Sequence, residues 1–421
     1  MLIQFNFKNY KSFRDETTLD LSATKITEFS ERITEIGKEK ILPVAAIYGA
    51  NASGKSNVYH AFVFMSDFVE NSFALGDDEK KYQEKLPSPF LFDSESESSE
   101  SVFEVYFSIP FDESCIVYNY GFSLGRNGVS EEWLNYKKKT AKSYRPVFYR
   151  NTSEKDSMFD APGIKKSSKE MLDRSITKQV LVISLGAKLQ IDECKLIRDW
   201  FVNNTYTDFA DIAYNLATFR ALPEDFVEEA KTRKDIIKYF SSFDNQIRDF
   251  EIERKPAPEN PEKEYYSIDT VHRKCNSDGF AKIPLQDESA GTLKMFALYS
   301  DLKEALKNGG VFFADELNAR LHPLLVRNII LTFLNPNINK NHAQLVFTTH
   351  DAWLLSNDLF RRDEIWFVEK GENGVSSLYS LADFKDNGVK IRKDESYEKN
   401  YLLGKYGAIP SMKAIDIDLE G

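Results

Sequence analysis

The sequence has 421 residues, of which 42% are hydrophobic and 13% aromatic, so it can bury a core and is not a disordered polymer. Its 66 acidic and 55 basic residues give a formal net charge of -11, which argues against a surface coated for nucleic-acid binding but leaves room for a local basic groove. Its apolar runs are too short to span a membrane, it opens on a strand-like pattern without a signal peptide, and its three cysteines lie far apart, so we expect a cytoplasmic protein without disulfides or a zinc site.

The first elements in chain order are a strand and a glycine-rich loop. Residues 2–13 alternate apolar and polar side chains, which predicts a strand or a hairpin. A short apolar run at 41–48 leads into GANASGKS at residues 49–56, which matches G-x-x-x-x-G-K-[ST]. Helical spacing of apolar residues follows from Val58 to Val69. A buried strand before this motif and a helix after it predict a phosphate-binding loop.

The residues of this loop have separate expected roles. Gly49 and Gly54 let the backbone curl so that successive N–H groups face phosphates, with help from the helix N-terminus. Lys55 should reach the β- and γ-phosphates of a nucleotide, and the Ser56 hydroxyl should bind Mg²⁺. We expect these residues to contact the nucleotide: Gly49, Asn51, Ala52, Ser53, Gly54, Lys55, Ser56 and Asn57.

The middle of the sequence predicts a sheet first and helices afterwards. A Ser- and acid-rich stretch near 76–100 precedes repeated alternation over 102–150, where turn residues favour an antiparallel meander. Residues 165–245 have amphipathic helical spacing, whereas the prolines of 255–264 indicate a loop or an edge. Residues 137–150 carry six basic residues and no acidic one. A solvated hairpin accounts for this run, and a local groove for nucleic acid is the alternative.

Alternation of helices and buried strands resumes in the last third of the sequence. The pattern predicts a helix near 291–307, buried strands at 311–315 and 344–349 with a helix between them, and a terminal hairpin. Short apolar strands that each precede a helix are typical of a mainly parallel sheet. We therefore predict an α/β fold in which these units and the unit at 41–70 share one sheet, with the middle of the chain as an insertion.

Two carboxylates follow the first of these late strands. Asp315 and Glu316 emerge at the C-terminal end of VFFA, where α/β sheets place ligands. Asp315 suits a contact with Mg²⁺, and Glu316 suits the polarisation of an attacking water, because phosphoryl transfer depends on positioning and charge stabilisation. An acidic pair at a helix start would explain the same residues. Because the phosphate-binding loop is also present, we predict a catalytic role.

Two further elements complete the pattern. His350 follows the second late strand and is expected to sense the γ-phosphate or the attacking water by hydrogen bonding, although a lone histidine is usually structural. Ser289 and Gly291 stand at the start of a predicted helix, where backbone N–H groups make an anion site; a plain helix cap is the alternative. The expected catalytic residues are therefore Glu316, His350 and Lys55.

Together, the motifs resemble those of an ABC-type ATPase of the SMC and RecF kind. The phosphate-binding loop, the sequence SAGT before the Asp–Glu strand and the later TTH carry the resemblance. It implies a mixed central sheet with an antiparallel β-meander and an inserted helical subdomain, and it implies ATP and Mg²⁺ as cofactors. It also implies that Ser289 and Gly291 of one subunit cap the ATP on the phosphate-binding loop of another, in a head-to-tail dimer or higher even oligomer. Residues 318–323 resemble the family's D-loop at the dimer seam, and Gln83 is a candidate for its Gln loop.

The same resemblance divides the chain into three parts. Residues 1–160 would form the N-terminal half of the ATPase domain, with the phosphate-binding loop and the meander. Residues 161–280 would form a mainly helical insertion. Residues 281–421 would form the C-terminal half, with the family's signature (Ser289 and Gly291), the two carboxylates, His350 and the terminal hairpin.

Both ends of the sequence also resemble bacterial stand-alone ATP-binding proteins grouped as "AAA family ATPase", which include RloA-like and abortive-infection proteins. The segments NFKNYKSFRDETTLDLSA, YGANASGKSN and NYLLGKYGAIP carry this likeness. It implies the ATPase half of an anti-phage system that acts with a separately encoded effector, such as a nuclease. The sequence after His350 is too short for the C-terminal Toprim domain of the related OLD nucleases, so we expect no intrinsic nuclease activity.

Two hypotheses of function therefore stand. In the first, ATP closes a dimer, hydrolysis opens it, and the middle insertion senses or holds a partner. In the second, the protein is a RecF- or SMC-like repair ATPase that acts directly on DNA, which the basic run at 137–150 supports and the net charge of -11 weakens. A transporter subunit is disfavoured by the long interval between Lys55 and Asp315. No membrane partner is expected.

Overall fold

A computed structural model describes residues 1–76, 78–111, 114–152, 157–208, 230–241, 246–257, 260–386 and 388–410. Besides single helical turns, the helices of these residues are α1 (Lys55–Asn71), α2 (Glu79–Glu84), α3 (Ser94–Ser98), α4 (Lys166–Ser175), α5 (Val182–Lys188), α6 (Asp192–Asn204), α7 (Ala230–Phe240), α8 (Ala290–Asn308), α9 (Pro323–Leu334) and α10 (Tyr397–Leu402). None of them is both long enough and apolar enough to cross a membrane.

The strands of the described residues are β1 (Leu2–Lys8), β2 (Thr17–Asp20), β3 (Thr34–Ile36), β4 (Glu39–Ile41), β5 (Val44–Gly49), β6 (Ser101–Phe111), β7 (Ser114–Gly125), β8 (Gly128–Lys138), β9 (Arg145–Asn151), β10 (Met158–Asp160), β11 (Thr205–Asp208), β12 (Ile247–Ala257), β13 (Asn260–Arg273), β14 (Phe280–Pro284), β15 (Val311–Ala314), β16 (Gln344–Thr349), β17 (Ile365–Lys370), β18 (Ser376–Ser380), β19 (Lys385–Asp386) and β20 (Val389–Lys390).

One sheet contains the strands that the motifs follow. Within the described residues its order is β11-β15-β16-β5-β17-β18, and every neighbouring pair is parallel except β17 and β18. Strands β5, β15 and β16 are buried along their whole length, as their largely apolar sequences require in a sheet covered on both faces. The prediction of a mainly parallel sheet is confirmed.

The register of this sheet brings the functional strand ends together. Thr349 pairs with Tyr48, the residue before the glycine-rich loop, and Phe347 pairs with Ala314, the residue before the two carboxylates. Because parallel strands end at the same edge of a sheet, the segments after β5, β15 and β16 lie side by side.

A second, antiparallel sheet packs over the helix that follows the loop. Its order within the described residues is β10-β9-β8-β7-β6-β1-β2, which confirms the predicted first strand and the predicted meander. Phe62 of α1 lies with its ring centroid 5.4 Å from that of Phe5 in β1 and 5.4 Å from that of Phe313 in β15. Helix α1 is therefore held between the two sheets, and this fixes the loop at its start.

The segment predicted as a mainly helical insertion, residues 161–280, is helical only in its first part. Helices α4 to α7 lie before residue 241, and residues 209–229 lie outside the described residues. From Ile247 to Pro284 the chain forms an antiparallel sheet of order β12-β13-β14, which corrects the helical prediction there. Apolar and polar residues alternate in this part, as in FEIER at 250–254, and that period belongs to a strand.

The helical part of this segment packs against the antiparallel sheet. Trp200 of α6 stacks on Phe107 of β6 with ring centroids 4.1 Å apart, so this helix covers the antiparallel sheet. The three-stranded sheet instead contacts α8: Phe250 of β12 lies 5.5 Å from Phe296 of α8 between ring centroids. Pro256 lies in β12, an outer strand, in agreement with the predicted edge.

Candidate functional site

The glycine-rich loop is shaped by close neighbours. Gly54 has a φ of 111°, and a Cβ there would lie 2.6 Å from the Ser376 hydroxyl and 2.7 Å from the Ser12 hydroxyl. A Cβ on Gly49 would overlap the backbone oxygen of Val368. Both positions therefore require glycine, one because of its conformation and both because of space.

Lys55 lies across this loop. Its amine donates hydrogen bonds to the backbone oxygens of Gly49 at 3.0 Å and Ala50 at 3.1 Å, and it lies 3.7 Å from Oε1 of Glu316. Burial lowers the pKa of Lys55, while the carboxylates of Glu316 and Asp315 oppose this shift. The lysine thus links the end of β5 to the carboxylates after β15.

A cavity of about 240 Å³ lies beside the loop and joins it to Glu316. Its lining residues are Asn51, Ala52, Gly54, Lys55, Ser56, Asn57 and Glu316. The buried Ser53 hydroxyl has no hydrogen-bond partner among the described residues, and a phosphate oxygen would supply one. The oxygen ligands that Mg²⁺ prefers are represented by the Ser56 hydroxyl in this cavity and by the Asp315 carboxylate at the neighbouring strand end. The residues therefore fit a phosphate group with its magnesium ion.

Glu316 has a strained backbone that its neighbours hold in place. Its φ is 47°, in the left-handed region, which costs a non-glycine residue roughly 1–3 kcal/mol. Its N–H donates to the Thr348 hydroxyl at 2.8 Å, and that hydroxyl donates to Oδ1 of Asp315 at 2.6 Å. The amine of Lys294 donates to the backbone oxygen of Glu316 at 3.3 Å. The strain therefore persists because both backbone polar atoms are bonded.

His350 is in contact with Glu316. Its Nδ1 lies 2.7 Å from Oε2 of Glu316, and its Nε2 lies 3.3 Å from the side-chain nitrogen of Asn318. Because a carboxylate only accepts and an amide nitrogen only donates, these contacts place the imidazole proton on Nδ1. Thr349 donates to the Asn318 side-chain oxygen at 2.7 Å, which orients that amide. The structure thus brings Lys55, Glu316 and His350 together.

Ser289 and Gly291 are not brought to this cavity. They line a second cavity of about 640 Å³, together with Thr292, Arg320 and residues of α9. Ser289 is the N-cap of α8, and its hydroxyl accepts a hydrogen bond from the Thr292 N–H at 3.1 Å. The cap that we considered for Ser289 is present, whereas its contact with a nucleotide stays a prediction.

Several residues at the site were not predicted. Lys294 and Asp208 form a buried ion pair at 3.6 Å behind the carboxylates, and Thr348 bridges Asp315 and Glu316. Two sequence features could have indicated these residues. One is the lysine within the apolar stretch TLKMFAL, and the other is the threonine within a buried strand. Gln83, our candidate for the Gln loop, donates to the backbone oxygen of Arg126 and does not line the phosphate-loop cavity.

Fold and site together define a P-loop nucleotide-binding protein: a buried parallel strand runs into a glycine loop and a helix, and carboxylates stand at the neighbouring strand end. Residues 44–356 match a family described as "AAA domain, putative AbiEii toxin, Type IV TA system". The match covers more than half of the sequence, so the chain belongs to this AAA family.

The two other comparisons do not identify a family. No curated protein matches the chain. A solved structure described as "Crystal structure of the SmcHead bound to the C-winged helix domain of ScpA" is similar at 15% sequence identity with a TM-score of 0.44, covering 90% of this chain and 97% of that chain.

Proposed function

We propose that this protein is an ATP-hydrolysing switch whose site is completed by a second copy of the chain. The observation that carries the proposal is the cavity that Ser56, Lys55 and Glu316 share beside the phosphate-binding loop. Lys55 and the backbone N–H groups of the loop would hold the phosphates of ATP. Ser56 and Asp315 would hold Mg²⁺, which neutralises charge on the phosphates when it is bound.

Glu316 and His350 supply the groups that a hydrolytic step needs. The Glu316 carboxylate would accept a proton from the attacking water, because it is the carboxylate that lines the cavity. His350, through its Nδ1–H contact of 2.7 Å, would orient this carboxylate and respond to an intact γ-phosphate. Lys55 lies 3.7 Å from the same carboxylate and places a positive charge beside it.

A second copy is part of the proposal because the signature residues face a different cavity from the phosphate-binding loop. Ser289 and Gly291 line the 640 Å³ cavity and not the phosphate-loop cavity of their own chain. In a head-to-tail dimer, each copy would present them to the ATP of its partner. Hydrolysis would then open the dimer, since the nucleotide joins the two copies.

Sedimentation velocity of the Glu316→Gln variant tests this switch. With ATP and Mg²⁺ we expect a dimer, and with ADP a monomer, because the variant binds ATP but hydrolyses it slowly. The Lys55→Ala variant is the matched control and should stay monomeric with either nucleotide. A Glu316→Gln variant that remains monomeric at saturating ATP would contradict the shared site.

The biological setting that we propose is bacterial defence against phage, with a separately encoded effector such as a nuclease and no nuclease activity in this chain. The family description names a toxin and a toxin–antitoxin system, which supports a partnered role. A tagged Glu316→Gln protein should be recovered from its native host with ATP and Mg²⁺. A stoichiometric second polypeptide, identified by mass spectrometry, supports this setting, whereas DNA without a polypeptide contradicts it.

A second candidate function, a repair ATPase that acts on DNA, is favoured by one observation. Two hairpins, β3–β4 and β8–β9, form a lysine cleft of about 190 Å³, whose lysines are Lys38, Lys137, Lys138, Lys139 and Lys142. Lys137 pairs with Glu39 at 2.9 Å, but no ion pair of the described residues involves the other four lysines. A concentrated basic cleft on a chain of net charge -11 would suit contacts with a phosphate backbone.

Charge reversal separates the two candidates. DNA-stimulated hydrolysis that is lost when Lys138, Lys139 and Lys142 are changed to Glu would favour the repair function. The control variant carries the same charge change at the exposed Lys80, Lys165 and Lys166. If DNA does not change the hydrolysis rate of the wild type or of either variant, the repair function is contradicted. The switch that acts with a protein effector is then favoured.

A further inference from the structure

Helix α8 connects the two cavities. Its first turn, with Ser289, Gly291 and Thr292, faces the 640 Å³ cavity, which we call the signature-side cavity. Lys294, on the next turn, is 4% exposed and donates to the backbone oxygen of Glu316 at 3.3 Å. The start of α8 therefore borders the signature-side cavity. Lys294, a buried cation of the same helix, contacts the segment that follows β15.

Lys294 acts together with Asp208, at the end of β11. Its amine lies 3.6 Å from Oδ2 of Asp208, which is 5% exposed. The backbone oxygen of Asp208 accepts a hydrogen bond from the N–H of Asp315 at 3.0 Å. The ion pair thus holds the Asp315–Glu316 segment at two backbone atoms. A buried ion pair is costly to desolvate, so its presence is weak evidence for a stabilising role.

The backbone of Glu316 is held from three directions. Its N–H donates to Thr348, a residue inside the parallel sheet. Its C=O accepts from the N–H of Ala319 at 2.8 Å and from the amine of Lys294 at 3.3 Å. Of these three partners, Lys294 belongs to α8, the helix that also packs on the three-stranded sheet. A shift of α8 would move the Lys294 contact and leave the other two hydrogen bonds in place, and it would act on a residue whose φ of 47° is already strained.

We infer that Lys294 is a positioning residue that transmits the position of the signature helix α8 to the side chain of Glu316. The inference rests on the proposed function, because it assigns the regulation of the same hydrolytic site. A second copy seated on the Ser289 cavity, or a partner that displaces the three-stranded sheet, would set the position of α8. Glu316 would be aligned with the water only when α8 is in its seated position.

The test compares Lys294→Met/Asp208→Asn with Lys294→Arg. The first variant removes both charges, so no buried charge is left unpaired, and the second keeps a cation of similar reach. We expect the double variant to keep ATP affinity, the ATP-dependent dimer and the melting temperature of the wild type, while kcat falls by about tenfold or more. Lys294→Arg should recover most of that kcat.

Two results would overturn the inference. The first is a folded double variant that hydrolyses ATP at the wild-type rate. The second is an equal loss of ATP affinity, dimerisation and kcat, which would show a merely structural ion pair. A wild-type chain that does not hydrolyse ATP would instead overturn the proposed function itself, and with it this inference.

Discussion

The two cavities differ in whether the side chains around them contact one another or remain exposed to solvent. The phosphate-loop cavity is bordered by Lys55 and the strained Glu316, and Glu316 contacts Lys55 at 3.7 Å and His350 at 2.7 Å. The signature-side cavity is larger and has apolar side chains left in solvent: Leu324 is 60% exposed and Leu331 38% exposed on α9. The first is organised by contacts within one chain, whereas the second exposes apolar side chains of α9 to solvent. This contrast supports the proposal of a site divided between two copies.

The largest effect should come from the first cavity. Lys55→Ala should lower ATP affinity by about two orders of magnitude, because truncating one partner of a buried, hydrogen-bonded charge contact costs roughly 2–5 kcal/mol. Titration calorimetry with ATP and Mg²⁺ measures this change. Lys81→Ala, at an exposed lysine of α2, is the control and should bind like the wild type. Tight ATP binding by Lys55→Ala would mean that this cavity is not the nucleotide site.

Glu316→Gln separates binding from chemistry within the same cavity. We expect kcat to fall by roughly 10²–10⁴-fold, the usual contribution of a positioned base, with ATP affinity kept. Phosphate release at saturating ATP measures the rate, and Glu372→Gln, at an exposed glutamate, is the control. Turnover at the wild-type rate would remove Glu316 from the role of base.

Mixing two inactive variants tests whether the cavities belong to one site. Lys55→Ala and Ser289→Arg, each inactive alone, should together recover at most about half of wild-type hydrolysis, because a mixed dimer keeps one intact site of two. The measurement is the rate of phosphate release as a function of the mixing ratio. Activity of Ser289→Arg by itself would show that the second cavity plays no part.

A smaller effect is expected behind the carboxylates. Thr348→Val removes the hydroxyl that bonds both Asp315 and Glu316, and one such hydrogen bond is worth about 1 kcal/mol, so kcat should fall by about fivefold. Thr348→Ser keeps the hydroxyl and should retain most of the activity. The ratio of the two kcat values at saturating ATP is the readout. Equal rates for Val and Ser would show that the hydroxyl does not hold Glu316 for catalysis.

Sequence reasoning found the parts of the fold that local pattern determines. Apolar runs ending in Gly49, Asp315 and His350 were sufficient to predict three buried strands, because each run and its loop are contiguous. The three-stranded sheet was missed, since its alternation over 247–284 was outweighed by the helical spacing before it. The Lys294–Asp208 pair could not be predicted, because it joins elements that are distant in sequence and the charges of buried pairs have no local pattern.

The neighbours of Gly54 determine when, during synthesis of the chain, the phosphate-binding loop can form. The Ser376 hydroxyl donates to the Ser53 backbone oxygen at 2.6 Å, and the Ser376 N–H donates to the Ser12 backbone oxygen at 2.7 Å. The strands that flank β5 on either side, β16 and β17, also come from late in the chain. A nascent chain on the ribosome thus carries the whole phosphate-binding motif long before it can give that motif its shape. The surroundings that shape the phosphate-binding loop are therefore complete only after Ser376 has been synthesised.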